Sequence, residues 1–84
     1  MRILHIVREF EDVRALAMAA AQSVEHEVSL LLLHEASVAT PPFPGAVYCS
    51  KADRQHQGLS EGPNSLDYEG IVSLMTAQDR VICW

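Results

Sequence analysis

Cys49 is the residue best placed to do chemistry in this 84-residue chain. It ends the apolar run Ala46-Val47-Tyr48 and is followed at once by Ser50-Lys51-Ala52-Asp53. Ser-x-x-Asp is a variant of the capping box that opens helices, so Cys49 is expected at the C-terminal end of a strand with a helix N-terminus beside it. Backbone N–H groups, the positive end of the helix dipole and the Lys51 ammonium would there favour the thiolate, the nucleophilic form of the side chain. Free cysteine is also among the most often buried residue types, so the competing reading of Cys49 is a small core side chain. Its exposure decides between the two.

The other reactive residue types form no template. Cys83 lies beside Trp84 in an apolar tail and reads as structural, with Trp84 a candidate interface anchor. Two cysteines so far apart, in a reducing compartment, do not suggest a bridge. There is no Cys-x-x-Cys and no His-x-x-x-His, so neither a metal nor another cofactor is expected. Glycine-rich phosphate cradles are missing too, because Gly45 precedes its strand where such a cradle follows one. His5 interrupts an apolar segment and is expected to make a local core hydrogen bond, while His26 and His56 read as surface residues.

The elements that must position Cys49 follow from hydrophobic period. Met1 to Val7 reads as a buried strand, and Glu9 to Val24 as a helix with Phe10, Val13, Leu16, Ala20 and Val24 on one stripe and three acids in its first turn. Val28 to Leu33 is a run of strand length with only Ser29 polar, the pattern of a strand covered on both faces. Pro41, Pro42 and Pro44 restrict the next stretch to one helical turn near Glu35 to Ala39 and a loop. Ala46 to Cys49 is the third strand, Lys51 to Gln57 a short helix stopped by Gly58, and Leu59 to Asn64 a loop. Ser65 to Asp67 reads as a vestigial strand, Tyr68 to Gln78 as a helix and Val81 to Trp84 as the last strand.

Strands alternating with helices predict a single α/β domain over residues 1–84, a small flavodoxin-like three-layer sandwich with a mainly parallel sheet of four to five strands. The flavodoxin-like order puts strand one between strands two and three, with ligands collecting beyond the strand C-termini at that switch point. Arg8 would then lie across from Cys49 and stabilise its thiolate. In that order His34, at the end of strand two, is about two strand spacings of 4.8 Å from Cys49, which stretches hydrogen-bond reach and makes it a loop residue.

Composition excludes several function classes. Net charge is −5, and the six basic residues Arg2, Arg8, Arg14, Lys51, Arg54 and Arg80 are scattered, so no basic face exists for direct nucleic-acid binding. The longest wholly apolar stretch, Leu30 to Leu33, is far short of a membrane span, and Met1 to Leu4 has no signal-peptide layout. A cytoplasmic protein is expected. With 49% hydrophobic residues in so short a chain, apolar surface is left over for a partner subunit, and oligomerisation is the default.

Several segments together resemble a known family. Met1-Arg2-Ile3-Leu4-His5, Val28 to Ala36, Val47-Tyr48 with Asp53, Gly58 and Leu59, and above all Asp67-Tyr68-Glu69-Gly70-Ile71-Val72 through to Val81-Ile82-Cys83-Trp84 look like the DsrH/TusB-like subunits of the DsrE/DsrF/DsrH sulfur-relay family. The resemblance implies a small cytosolic subunit that forms a homo-oligomer, or a hetero-oligomer with DsrE-like and DsrF-like relatives. It also implies sulfur donor and acceptor proteins as partners, with cysteine persulfide passed toward sulfur oxidation or 2-thiolation of tRNA wobble uridine. Some DsrH-like proteins hold the relay cysteine in the first helix, where this chain reads Arg14-Ala15-Leu16-Ala17-Met18-Ala19. Cys49 falls within about one residue of the active cysteine that DsrE/TusD-like members hold after the third strand. Three readings stay open: persulfide carriage on Cys49, a non-catalytic assembly subunit, and a small-ligand-binding α/β domain.

Overall fold

Local chemistry explains where each element begins. In a computed structural model, which describes residues 1–39, 41–60, 62 and 64–84, the chain runs β1 (Arg2–Val7), α1 (Val13–Gln22), β2 (Glu27–Leu32), a 3-10 turn (His34–Val38), β3 (Ala46–Ser50), α2 (Lys51–His56), β4 (Ser65–Leu66), α3 (Tyr68–Thr76) and β5 (Arg80–Cys83). The loops expected over 36–45 and 59–64 pass through positions 40, 61 and 63, which lie outside the described residues. Each helix is opened by a short polar side chain that accepts from a backbone N–H: Asp12 from Ala15, Ser50 from Asp53 and Asp67 from Gly70. Gly58, at φ 78°, ends α2 in the left-handed conformation that glycine adopts without strain.

The helix expected from Glu9 starts four residues later, at Val13. Glu11 takes φ 54°, which breaks helical geometry and makes Asp12 the cap, so Glu9 and Glu11 belong to the loop after β1. Val24, expected on the buried stripe, lies beyond the helix and is exposed.

All strand pairs are parallel, and the order is β4-β3-β2-β1-β5. The expected α/β class with a parallel five-stranded sheet therefore holds, but the expected strand order does not. β1 lies between β2 and β5, and β2 separates it from β3. The chain steps outward from β1 to β4 and then returns across the sheet to β5. Right-handed crossovers require a return connection to pass on the opposite face from the outward ones. The core is divided accordingly. Ile3, Val7, Val28, Leu30, Leu32 and Cys49 pack with Ala15 and Ala19 of α1 and with Ala36 of the turn. On the other face Leu4, Ile6 and Leu31 pack with Ile71 and Leu74 of α3. Gly45 lets β3 start hard against β2, since a Cβ there would collide with the carbonyl oxygen of Val28. Among the described residues no helix is long and apolar enough to cross a membrane.

Candidate functional site

Parallel strands end together, so their C-terminal edge gathers the expected site residues Arg8 and Cys49 with His34, and adds Cys83. The order of the strands decides which of them meet. Arg8 is separated from the end of β3 by β2, about two strand spacings or 9–10 Å in the plane of the sheet. Its Nε donates instead to the main-chain oxygen of Trp84 at 2.8 Å, which ties the ends of β1 and β5 together. Arg8 is thus not beside Cys49, contrary to the expectation drawn from the flavodoxin-like order.

Cys49 is 7% exposed and belongs to the core cluster on the α1 face. The sequence placed it next to a helix N-terminus, and α2 does begin two residues later. The cap is Ser50, however, whose Oγ accepts from the Asp53 N–H at 3.3 Å. Side chains alternate across a strand, so the Cys49 thiol takes the face opposite to the Ser50 hydroxyl and packs with the α1-side core. There its Sγ lies 3.4 Å from the Ser65 hydroxyl of β4, and its own N–H donates to the Asn64 carbonyl at 3.2 Å.

The capping box is also only half formed. The Asp53 carboxylate, which would reach back to Ser50 in the reciprocal arrangement, accepts from the main-chain N–H of His34 at 2.8 Å. That bond anchors α2 to the 3-10 turn and holds His34 in the left-handed region at φ 51°. His34 itself is exposed at the mouth of a separate cleft with Arg8, Glu9, Phe10 and Glu35. The distance argument against a Cys49–His34 pair fails, because β2 and β3 are neighbours, yet His34 is not among the residues that line the cavity at Cys49.

That cavity measures about 200 Å³ and is lined by Cys49 with Leu32, Val47, Arg54, Asn64 and others. Arg54 is the cation that the sequence reading missed. It stands one helical turn after the Ser50 cap, a spacing that places it back over the strand end. Its Nη1 donates to the Ser37 carbonyl and its Nε to that of Ser60, each at 3.0 Å, so it braces two loops around the thiol's pocket.

Cys83 departs from the structural role expected of it. Cys83 is the exposed cysteine, at the end of an edge strand. Trp84 is half-buried against the core, and its indole N–H donates to His5 Nδ1 at 2.8 Å. His5 is thus hydrogen-bonded in the core as expected, but its partner lies at the far end of the chain and is not the local one expected. Among the described residues no cluster of His, Cys, Asp and Glu could hold a metal ion.

Comparison with known proteins gives a fold neighbour and no sequence relative. No family model and no curated protein sequence matches the chain. Among solved structures it is similar to the YchN protein from E. coli, with a TM-score of 0.78 and 15% sequence identity over 100% of this chain and 99% of that one. The similarity establishes the α/β fold.

Proposed function

We propose that this protein is a subunit of a sulfur-relay assembly and that it supports a partner's reactive thiol without carrying sulfur itself. YchN, the fold neighbour, is a DsrE/TusB-like protein of the sulfur-relay group, and the Asp67-Tyr68 segment and terminal Trp84 resemble DsrH/TusB-like chains. One observation favours the supporting role. Cys49 is packed into the core one residue ahead of the α2 cap, so the helix N-terminus is occupied by Ser50 and the thiol has little solvent access. In this reading the protein works in the cytoplasm beside DsrE-like and DsrF-like subunits, on the route to sulfur oxidation or tRNA 2-thiolation.

The pocket favours a second reading. A thiol that lines a cavity of about 200 Å³ beside Arg54 has room for one added sulfur atom. Carriage would proceed by attack of the Cys49 thiolate on the outer sulfur of a donor persulfide, breaking the donor's S–S bond. The donor leaves as its thiolate and Cys49 holds the persulfide, with no external oxidant needed.

Intact-mass spectrometry after incubation with a protein persulfide donor separates the two. The supporting role predicts that any one-sulfur adduct sits on exposed Cys83, disappearing in Cys83→Ser and persisting in Cys49→Ser. An adduct that survives Cys83→Ser and is lost in Cys49→Ser establishes carriage. Light scattering after size exclusion, alone and with DsrE-like and DsrF-like subunits, tests assembly itself: a chain that stays monomeric throughout contradicts both readings.

A further inference from the structure

Beyond the C-terminal ends of β1 and β2 lies a groove of about 500 Å³ that the thiol chemistry does not use. Its floor is the core-facing set Val7, Leu16, Leu32 and Ala36, and Pro41 and Pro42 form one stiff side. Phe10, Val13 and Val38 stand at the rim, 51%, 75% and 37% exposed. Apolar side chains of this size, clustered around one opening, are the mark of a surface that another molecule covers.

The remaining lining is acidic. Glu9, Glu11 and Asp12 border the groove, and no lysine, arginine or histidine does so among the described residues. Asp12 is occupied as the cap of α1, with its Oδ1 accepting from Ala15 N–H at 3.1 Å, while Glu9 and Glu11 form no described ion pair. The positive end of α1 offsets these carboxylates only in part, since a helix N-terminus carries about half a charge against their three. Glu9 and Phe10 also line the neighbouring cleft, with Arg8, His34 and Glu35, and there Arg8 is held on the Trp84 carbonyl. The groove is therefore apolar at its floor and strongly negative along one rim.

We propose that this groove receives a short segment of a partner protein in which apolar side chains alternate with arginine or lysine. The apolar groups cover the floor and the Phe10, Val13 and Val38 rim, and the cations face Glu9 and Glu11. A second copy of this chain fits poorly, because it carries a net charge of −5 and scatters its six basic residues. The proposal stands independently of the sulfur-relay reading.

The test uses the full chain and a fluorescein-labelled hexapeptide of alternating arginine and leucine, with glutamate–leucine and arginine–glycine peptides of equal length as comparators. Anisotropy should show saturable binding of the arginine–leucine peptide alone, and ¹H–¹⁵N shifts should concentrate at residues 9–13 and 36–39. Replacing both Glu9→Gln and Glu11→Gln, at exposed positions, should weaken binding about fivefold. Phe10→Ala with Val13→Ser should weaken it about tenfold. Equal binding of the arginine–glycine peptide, shifts mapping elsewhere, or a self-association abolished by Phe10→Ala would each overturn the proposal, the last by showing a second copy in the groove.

Discussion

His5 shows how one buried polar group can be specified by two partners distant in sequence. It is fully buried in β1, its Nδ1 accepts from the Trp84 indole N–H, and its Nε2 lies 2.6 Å from Gln22 Oε1 at the end of α1. An indole N–H can only donate, so Nδ1 is the unprotonated nitrogen and Nε2 carries the hydrogen that Gln22 accepts. The two rings also stack, with centroids 6.0 Å apart and planes 21° from parallel. Trp84→Phe keeps an aromatic ring but leaves Nδ1 buried without a donor, and should cost about 1–3 kcal/mol in urea unfolding. A loss of only a few tenths would refute this account. Cys49 offers a contrast at the same level of detail. Its place at a strand end was legible from Ala46-Val47-Tyr48 and Ser50, but the face it takes was not. Every residue of that run is apolar, so no alternation marks which side is inward.

The helices were readable to the extent that their signals are contiguous. Ser50 and Gly58 bound α2 as expected, whereas Asp67, read as the end of a strand, is the cap of α3. The start of α1 was misplaced because acids suit a helical first turn and a preceding loop equally well, and only the positive φ of Glu11 distinguishes the two. Asp12 then becomes the residue that decides where α1 begins. Asp12→Ala should destabilise the protein by about 1 kcal/mol, and Asp12→Asn, which still accepts from Ala15 N–H, should cost much less. Thermal or urea unfolding of the pair checks this, and equal losses would show that charge at the dipole matters more than the cap bond. The exposed Arg2–Glu27 pair, at 3.2 Å, is a weak contributor by comparison.

Strand order governs the C-terminal edge as a whole. It separates Arg8 from Cys49, joins Arg8 to Trp84, and makes β2 the central strand, with β1, buried from Ile3 to Val7, beside it. One signal for this order was present in the chain. The flavodoxin-like arrangement puts strand two at an edge, where the Val28 to Leu33 run would leave apolar surface uncovered, whereas the observed arrangement flanks β2 on both sides. Native-state hydrogen exchange should accordingly find the slowest amides in β1 and β2, around Leu4 to Ile6 and Leu30 to Leu31, and faster exchange in β4 and β5. Exchange in β3 slower than in β2 would contradict the order. The succession of strands and helices, their parallel arrangement and the Ser50 and Gly58 bounds of α2 were set by the sequence alone, because hydrophobic period and capping chemistry belong to neighbouring residues. The strand neighbours, the inward turn of Cys49, the exposure of Cys83 and the acidic apolar groove were settled only on folding. Each depends on contacts between residues far apart in the chain, and those contacts are selected by packing over the whole core and not by any one segment.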